Sequence, residues 1–185
     1  LVLEKNNKRN EKILIETFNL NIKQKENFVI QENFLKSFDN IFNINLNDSD
    51  IKIIYKIENM TQKLKEFVNI NNGIVTGSDS LFLSSTKNNN NFKLCITGKN
   101  IKRYSIVGNK GYINYLPEKL LRARKQELFE TKEKLIMQMI SSNLVVAFDN
   151  EQFYNLGTTY LITLNNSYGA NIKYILALLN SKLLN

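Results

Sequence analysis

Residues 73–82 read GIVTGSDSLF: two glycines, a threonine, two serines and an aspartate between apolar flanks. Glycine admits backbone angles closed to other residues and lets another chain or a ligand approach closely, while N–H groups and hydroxyls suit an anion. A phosphate-cradling P-loop also needs a Lys followed by Ser or Thr after its second glycine. Here Gly77 is followed by Ser78 and Asp79, and that carboxylate opposes a triphosphate. The stretch is therefore either a turn between a helix and a strand or the backbone-lined edge of a binding surface. Its surroundings must decide.

Working outward, Asp48 or Ser49 can cap an amphipathic helix whose apolar positions Ile51, Ile54, Ile57, Leu64, Phe67 and Val68 carry it to about Asn69. After the glycine stretch come short strand candidates, LFL, KLCIT and KGYINY, separated by the asparagine tract at 88–91 and by turns at Gly98 and Gly108. Pro117 suits the first residue of a long helix striped by Leu121, Leu128 and Leu135, with Phe129, Ile136 and Met139 beside them. NLVVAFD and TTYLITL are β-rich, and a closing helical stripe runs through Ile172, Ile175, Leu176, Leu179 and Leu183. The pattern predicts a mixed α/β (α+β) domain over 50–185, a small mixed sheet with packed helices, one of them long. Residues 1–49 are more polar, with apolar patches ILIETF and NFVIQENFL, and are expected to be a linker or the end of a preceding domain. The chain opens at Leu1 and stops inside the apolar pattern ILALLNSKLLN with no helix stop signal, so a longer parent, truncated here at its C-terminal side, is expected.

Composition narrows the chemistry. At 185 residues the chain is long enough for a real core. With no His and a single Cys, Cys95, it has no Ser-His-Asp or Cys-His nucleophile system, no internal disulfide and no His/Cys zinc cluster. Its longest apolar runs fall far short of the ~20 residues a membrane helix needs, and no signal peptide is visible. A cytoplasmic protein without a membrane partner is expected.

The charge is concentrated. Residues 93–125 hold nine of the 25 basic side chains and one of the 17 acidic ones, so the rest of the chain balances at sixteen of each. The window alone carries the whole formal charge of +8. It is either a solvated face or the electrostatic footprint of a polyanion, whose phosphates give up counterions on binding.

The order of these pieces resembles a known family. The motifs are Gly73, Ile74, Thr76, Gly77 and Phe82; Gly98, Asn100, Ile101, Arg103 and Tyr104; Lys134 and Ile136; Asp149; and Leu178, Leu179, Asn180 and Ser181. In this order, over about 50–185, they resemble the TaqI-like C-terminal specificity domain, the target recognition domain of adenine-specific DNA methyltransferases and type IIG restriction enzymes. They are also similar to the recognition domains of type I specificity subunits. The resemblance implies double-stranded DNA as partner, read from the major-groove side. It also implies a catalytic methyltransferase domain in the same parent chain, with S-adenosylmethionine as its cofactor and Mg²⁺ if a nuclease is present. The Asn/Asp-Pro-Pro-Tyr segment that holds a flipped adenine does not occur in these residues, so no catalytic residue and no cofactor is expected within this piece.

DNA contacts are expected from Lys99, Lys102 and Arg103, because Arg can pair with guanine O6 and N7 and Lys can neutralise phosphates. Asn100 belongs to the same segment. Tyr104 either packs at a sheet edge or stacks on a base. Thr76, Ser78 and Asp79 are expected to line a groove and bond phosphates, Asp79 either accepting from cytosine N4 or capping a turn. Arg122, Arg124 and Lys125 are either solvated or phosphate-facing. A nuclease-like string, Pro117-Glu118 with Glu130-Thr131-Lys132, is set aside because on one helix its acids stand ~18 Å apart, too far to share a metal. The alternative is a protein or RNA interaction domain with a basic face and no DNA sequence specificity.

Overall fold

A computed structural model describes residues 12–19, 22–30, 46–165 and 169–185. The chain divides into two compact units, Leu1–Lys63 and Leu64–Asn185. In the first, β1 (Lys12–Asn19) pairs antiparallel with β2 (Ile22–Ile30), with a bulge between Thr17 and Phe18. The ILIETF patch lies in β1 and NFVI in β2; the residues that follow, 31–45, lie outside the described set. Helix α1 (Asp48–Met60) follows among the described residues of this unit. Its cap is Asn47, not Asp48 or Ser49: the Asn47 side chain accepts from the Ser49 and Asp50 amides, and Asp50 reaches back to the Asn47 N–H.

The helix stops at Met60 and does not run to Asn69. Residues 64–66 form a 3₁₀ turn, and β3 (Val68–Asn72) pairs with β12 (Thr159–Leu164). VNINN is rich in asparagine, a poor helix former, and pairing with a buried strand wins over a helical spacing that continues by coincidence. The sheet thus starts before the glycine stretch.

The second unit is three layers deep. One sheet has the order β10 (Val146–Asp149), β9 (Lys134–Gln138), β12, β3, all antiparallel. Another has the order β11 (Tyr154–Asn155), β5 (Phe92–Ile96), β8 (Gly111–Asn114), β4 (Leu83–Ser84), with β11 parallel to β5. The first sheet is covered on both faces. Leu135, Val146 and Ile162 pack with Ile172, Ile175, Leu176 and Leu179 of helix α4 (Ile172–Leu179), while Ile136, Ala147 and Leu161 join Ile74, Cys95, Ile113 and Phe129 in the main core.

That double burial explains the largest departure from expectation. There is no long helix between Pro117 and Met139. Residues 117–119 make a 3₁₀ turn, α3 spans only Gln126–Phe129, and 134–138 is the strand β9. Lys134, Leu135 and Ile136 are consecutive and fully buried, which one face of a helix cannot achieve and a central strand can. Leu121, the proposed start of the stripe, is 75 % exposed. Likewise only the last residue of LFL is strand: Leu81 and Phe82 belong to α2 (Asp79–Phe82), a single helical turn, and Leu83 opens β4. The last helix ends at Leu179, where Asn180 turns away, and Leu183 is exposed.

Two buried polar features fix the arrangement. Lys134 Nζ lies 2.6 Å from Asp149 Oδ2, directly across the β9–β10 ladder, with neither side chain exposed. Lys134 also donates to the Phe129 carbonyl at 2.7 Å, and Asp149 accepts from the Glu151 and Phe153 amides. Burial pulls the Lys134 ammonium below its usual range, and the Asp149 charge opposes that shift. Cys95 sits in the main core, where burial, reinforced by the charge of Asp79, pushes its thiol up to about 12.

Asp149→Asn keeps one acceptor oxygen for the two turn amides and leaves a buried ammonium without its countercharge. A loss of about 3–5 kcal/mol in urea unfolding is expected, and a loss below 1 kcal/mol would show that Lys134 does not depend on the pair. Cys95 is expected to resist thiol reagents at pH 8 until the chain unfolds. Its folded thiol keeps its proton while the unfolded one ionises near 9. Its contribution to stability is therefore whole below pH 9 and is lost as pH rises toward 12.

Candidate nucleic-acid interface

The glycine stretch holds the protein's own backbone. Gly73 N–H donates to Thr159 O, Ile74 N–H to Asn155 O and Val75 N–H to Arg122 O. A Cβ on Gly73 would stand 2.2 Å from the Leu156 carbonyl oxygen, so only glycine fits. These donors are not available to phosphates. Thr76 is buried, and its hydroxyl donates to Asp79 Oδ1 at 2.5 Å, so Asp79 anchors the turn that opens α2. Gly77, at φ +84°, and Ser78 then face outward or nearly so.

Pairing around this stretch defines one end of a sheet. Ile74 bridges Leu156 in parallel, Asn155 pairs in parallel with Ile96, and Val75 bridges Arg122 antiparallel. The segments ending at Thr76, Thr158 and Lys99 therefore run the same way and finish side by side. Thr158 ties the row together, its Oγ1 accepting from Gly98 N–H at 2.9 Å. Arg122 and the Lys99 segment lie on opposite sides of this row, three strand spacings or about 14 Å apart.

Beyond Lys99 the chain makes a hairpin, β6 (Ile101–Lys102) and β7 (Ser105–Ile106), with Arg103 and Tyr104 at its tip. Its base is knotted by Asn100. That side chain is buried, its Oδ1 accepting from Thr97 N–H and Oγ1 and its Nδ2 donating to the carbonyls of Val107 and Asn109. Asn100 is thus spent inside the loop and offers nothing to a base. Gln138 adds a second tether, donating to the carbonyls of Gly98 and Ile101. The tip is docked on the outer edge of β10: Tyr104 N–H donates to Val146 O at 2.8 Å and Tyr104 O accepts from Phe148 N–H.

Lys99, Lys102 and Arg103 are exposed, and their side chains have no partner among the described residues. Ser78 and Arg122 occupy the other side of the row. Arg124 and Lys125 do not join them. The 122–125 segment runs antiparallel to the glycine stretch, so Arg124 lies about 7 Å further from the basic end, its Nε donating to Asn72 O. Both line an open cleft of about 790 Å³ with Tyr115, Gln126 and Glu127. Lys110 is partly engaged over the Phe153 ring.

Two positioning residues escaped the sequence reading. Gln138 lies inside the expected long helix, and Thr158 opens the β-rich run TTYLITL, where nothing marks its hydroxyl as a tether. The nuclease-like string also changes meaning. Glu118 lies in a 3₁₀ turn and Glu130 caps α3, where Gln126 Nε2 and the Tyr154 hydroxyl donate to its carboxylate. The ~18 Å helical separation no longer applies, but among the described residues no three acidic or thiol side chains converge to hold a metal.

The second unit is a layered α+β domain that leaves Lys99, Lys102 and Arg103 exposed and without partners among the described residues. The TaqI-like C-terminal specificity domain family matches residues 93–185, just over half of the chain, and the chain belongs to that family. The match begins at Lys93, so it does not cover the glycine stretch. No curated protein matches the chain. Membership makes this a DNA-binding specificity domain of the kind that recognises targets in restriction-modification enzymes. Among the described residues no helix is long and apolar enough to cross a membrane.

Asn100→Ala removes the acceptor of the Thr97 amide and strands the carbonyls of Val107 and Asn109. A stability loss of about 1–3 kcal/mol is expected, with faster hydrogen exchange at the Thr97 amide and none at Val75, which bonds Arg122. Unchanged exchange at Thr97 would mean that Asn100 does not hold the loop.

Proposed function

We propose that this chain is the sequence-recognition domain of a site-specific adenine-N6 DNA methyltransferase or type IIG restriction-modification enzyme. In the parent protein a catalytic methyltransferase domain supplies the chemistry. S-adenosylmethionine belongs to that domain. The glycine stretch here offers it no free donors, because the amides of 73–75 are consumed by protein carbonyls, and with Pro117 as its single proline the chain has no Pro-Pro pair to hold a flipped adenine.

The observation that carries the reading is the set of exposed cations at Lys99, Lys102 and Arg103, unpaired among the described residues, with the Lys99 segment about 14 Å across the row from Arg122. A major groove is about 12 Å wide, so the two sides are spaced to meet the phosphates that border one groove. Phosphate contacts of this kind fix register, and residues between them meet base edges. Arg124 and Lys125, further along the row, are assigned a smaller part.

Binding of the 185-residue chain to duplex DNA across a salt series tests this directly. Replacing Lys99, Lys102 and Arg103 together by alanine is expected to flatten the log–log salt slope by about 0.9 for each phosphate that the variant no longer neutralises. The Arg124/Lys125 pair of alanines is expected to leave the slope nearly unchanged. Equal slopes for wild type and the triple variant would overturn the assignment of this face to DNA.

A further inference from the structure

Tyr104 stands at φ 71°, a region that bulky side chains avoid because Cβ crowds the neighbouring carbonyl. Asn or Gly would take the same hairpin position without that cost. The backbone is nonetheless pinned there by two hydrogen bonds to the β10 edge. The side chain gains nothing visible in return: it is 53 % exposed and has no hydrogen bond or ring contact among the described residues. Its neighbours in sequence are the exposed, unpaired Lys102 and Arg103. Strain that persists under such constraint is characteristic of sites that bind or switch, where the awkward geometry serves the ligand.

We propose that Tyr104 is a stacking platform for a DNA base that has left the duplex stack, with Lys102 and Arg103 holding the phosphates beside it. This rests on the DNA reading above and adds a partner for one side chain. A rigid aromatic ring between cations is the arrangement by which proteins hold exposed bases, since every base offers a π-face and the cations track the backbone. The docked tip removes the freedom that an exposed tyrosine on a mobile loop would have to lose on binding.

The test compares two duplexes of one sequence, fully paired and carrying a single bulged base, against wild type, Tyr104→Asn and Tyr104→Phe at fixed salt. Wild type is expected to favour the bulged duplex by about tenfold, the effect of one base–aromatic stack. Tyr104→Phe keeps this preference. Tyr104→Asn loses it, keeps its affinity for paired DNA, and melts at the same or a higher temperature because the strain is relieved. Retention of the preference by Tyr104→Asn overturns the proposal. So does a lowered melting temperature with both affinities falling together, which would make the ring structural. Wild-type binding to both duplexes without preference overturns this proposal alone, whereas no wild-type binding to either overturns the DNA reading beneath it.

Discussion

The ion pair between Lys134 and Asp149 holds three segments that would otherwise part. Lys134 reaches from the start of β9 to the Phe129 carbonyl at the end of α3, while the Asp149 carboxylate gathers the amides of Glu151 and Phe153. That turn, with Gln152 at φ 59°, sends the chain back into the core as Phe153 and Tyr154. Tyr154 stacks on Phe129 at 4.6 Å, and Tyr115 meets both edge-on. From Tyr154 the chain enters β11, pairs with β5, and gives Gly73 the carbonyls it packs against. The basic end of the domain is therefore aimed from a point buried well inside it. An apolar pair of similar volume could match such a bridge in stability, but not its directed bonds to three pieces of backbone.

The residues that carry the family resemblance mostly perform the same kind of work. Gly73 admits a crossing chain, Asn100 knots the base of the hairpin, and Lys134 meets Asp149. Asn180 pairs with both the N–H and the C=O of Val146 as a neighbouring strand would. Asn180 and the Tyr104 backbone together cover the outer edge of β10, which would otherwise present free pairing groups. What the motifs specify is a frame. The side chains free to touch another molecule lie beside these anchors, at Ser78, Lys99, Lys102 and Arg122 and at the motif residues Arg103 and Tyr104 on the hairpin tip.

This division explains what could be read in the sequence. The runs around Val146 and Ile162 are legible as strands from their β-rich composition, buried on both faces, and the helix from Ile172 is legible because it buries residues at helical spacing. The 117–139 region did not. Its leucines fall at helical spacing, yet Leu120 and Phe129 are core anchors on either side of an extended piece paired with Val75, a partner about fifty residues away that no local pattern announces. The excess of basic residues was visible as a sum but not as a place, since strand pairing sends Lys99 and Arg124 toward different ends of the row. The glycine stretch invited an anion because its donors look free on paper. The carbonyls of Asn155, Thr159 and Arg122 take them in the fold.

Lysine serves two opposite purposes here, and the difference is one of dielectric. Lys134 is shielded from water, so its attraction to Asp149 is weakly screened by salt and belongs to the fold. Lys99 and Lys102 stand in solvent without partners, so any attraction they exert on a polyanion weakens as the screening length shrinks to ~8 Å near physiological salt. Under the proposed reading, function and stability answer to different conditions: ionic strength that would release nucleic acid from Lys99 and Lys102 leaves the buried pair in place. A domain built this way can let go of DNA without loosening the frame that aims its contacts. On that reading, new side chains at the hairpin tip or beside Ser78 would alter recognition without touching the bonds that hold the layers together.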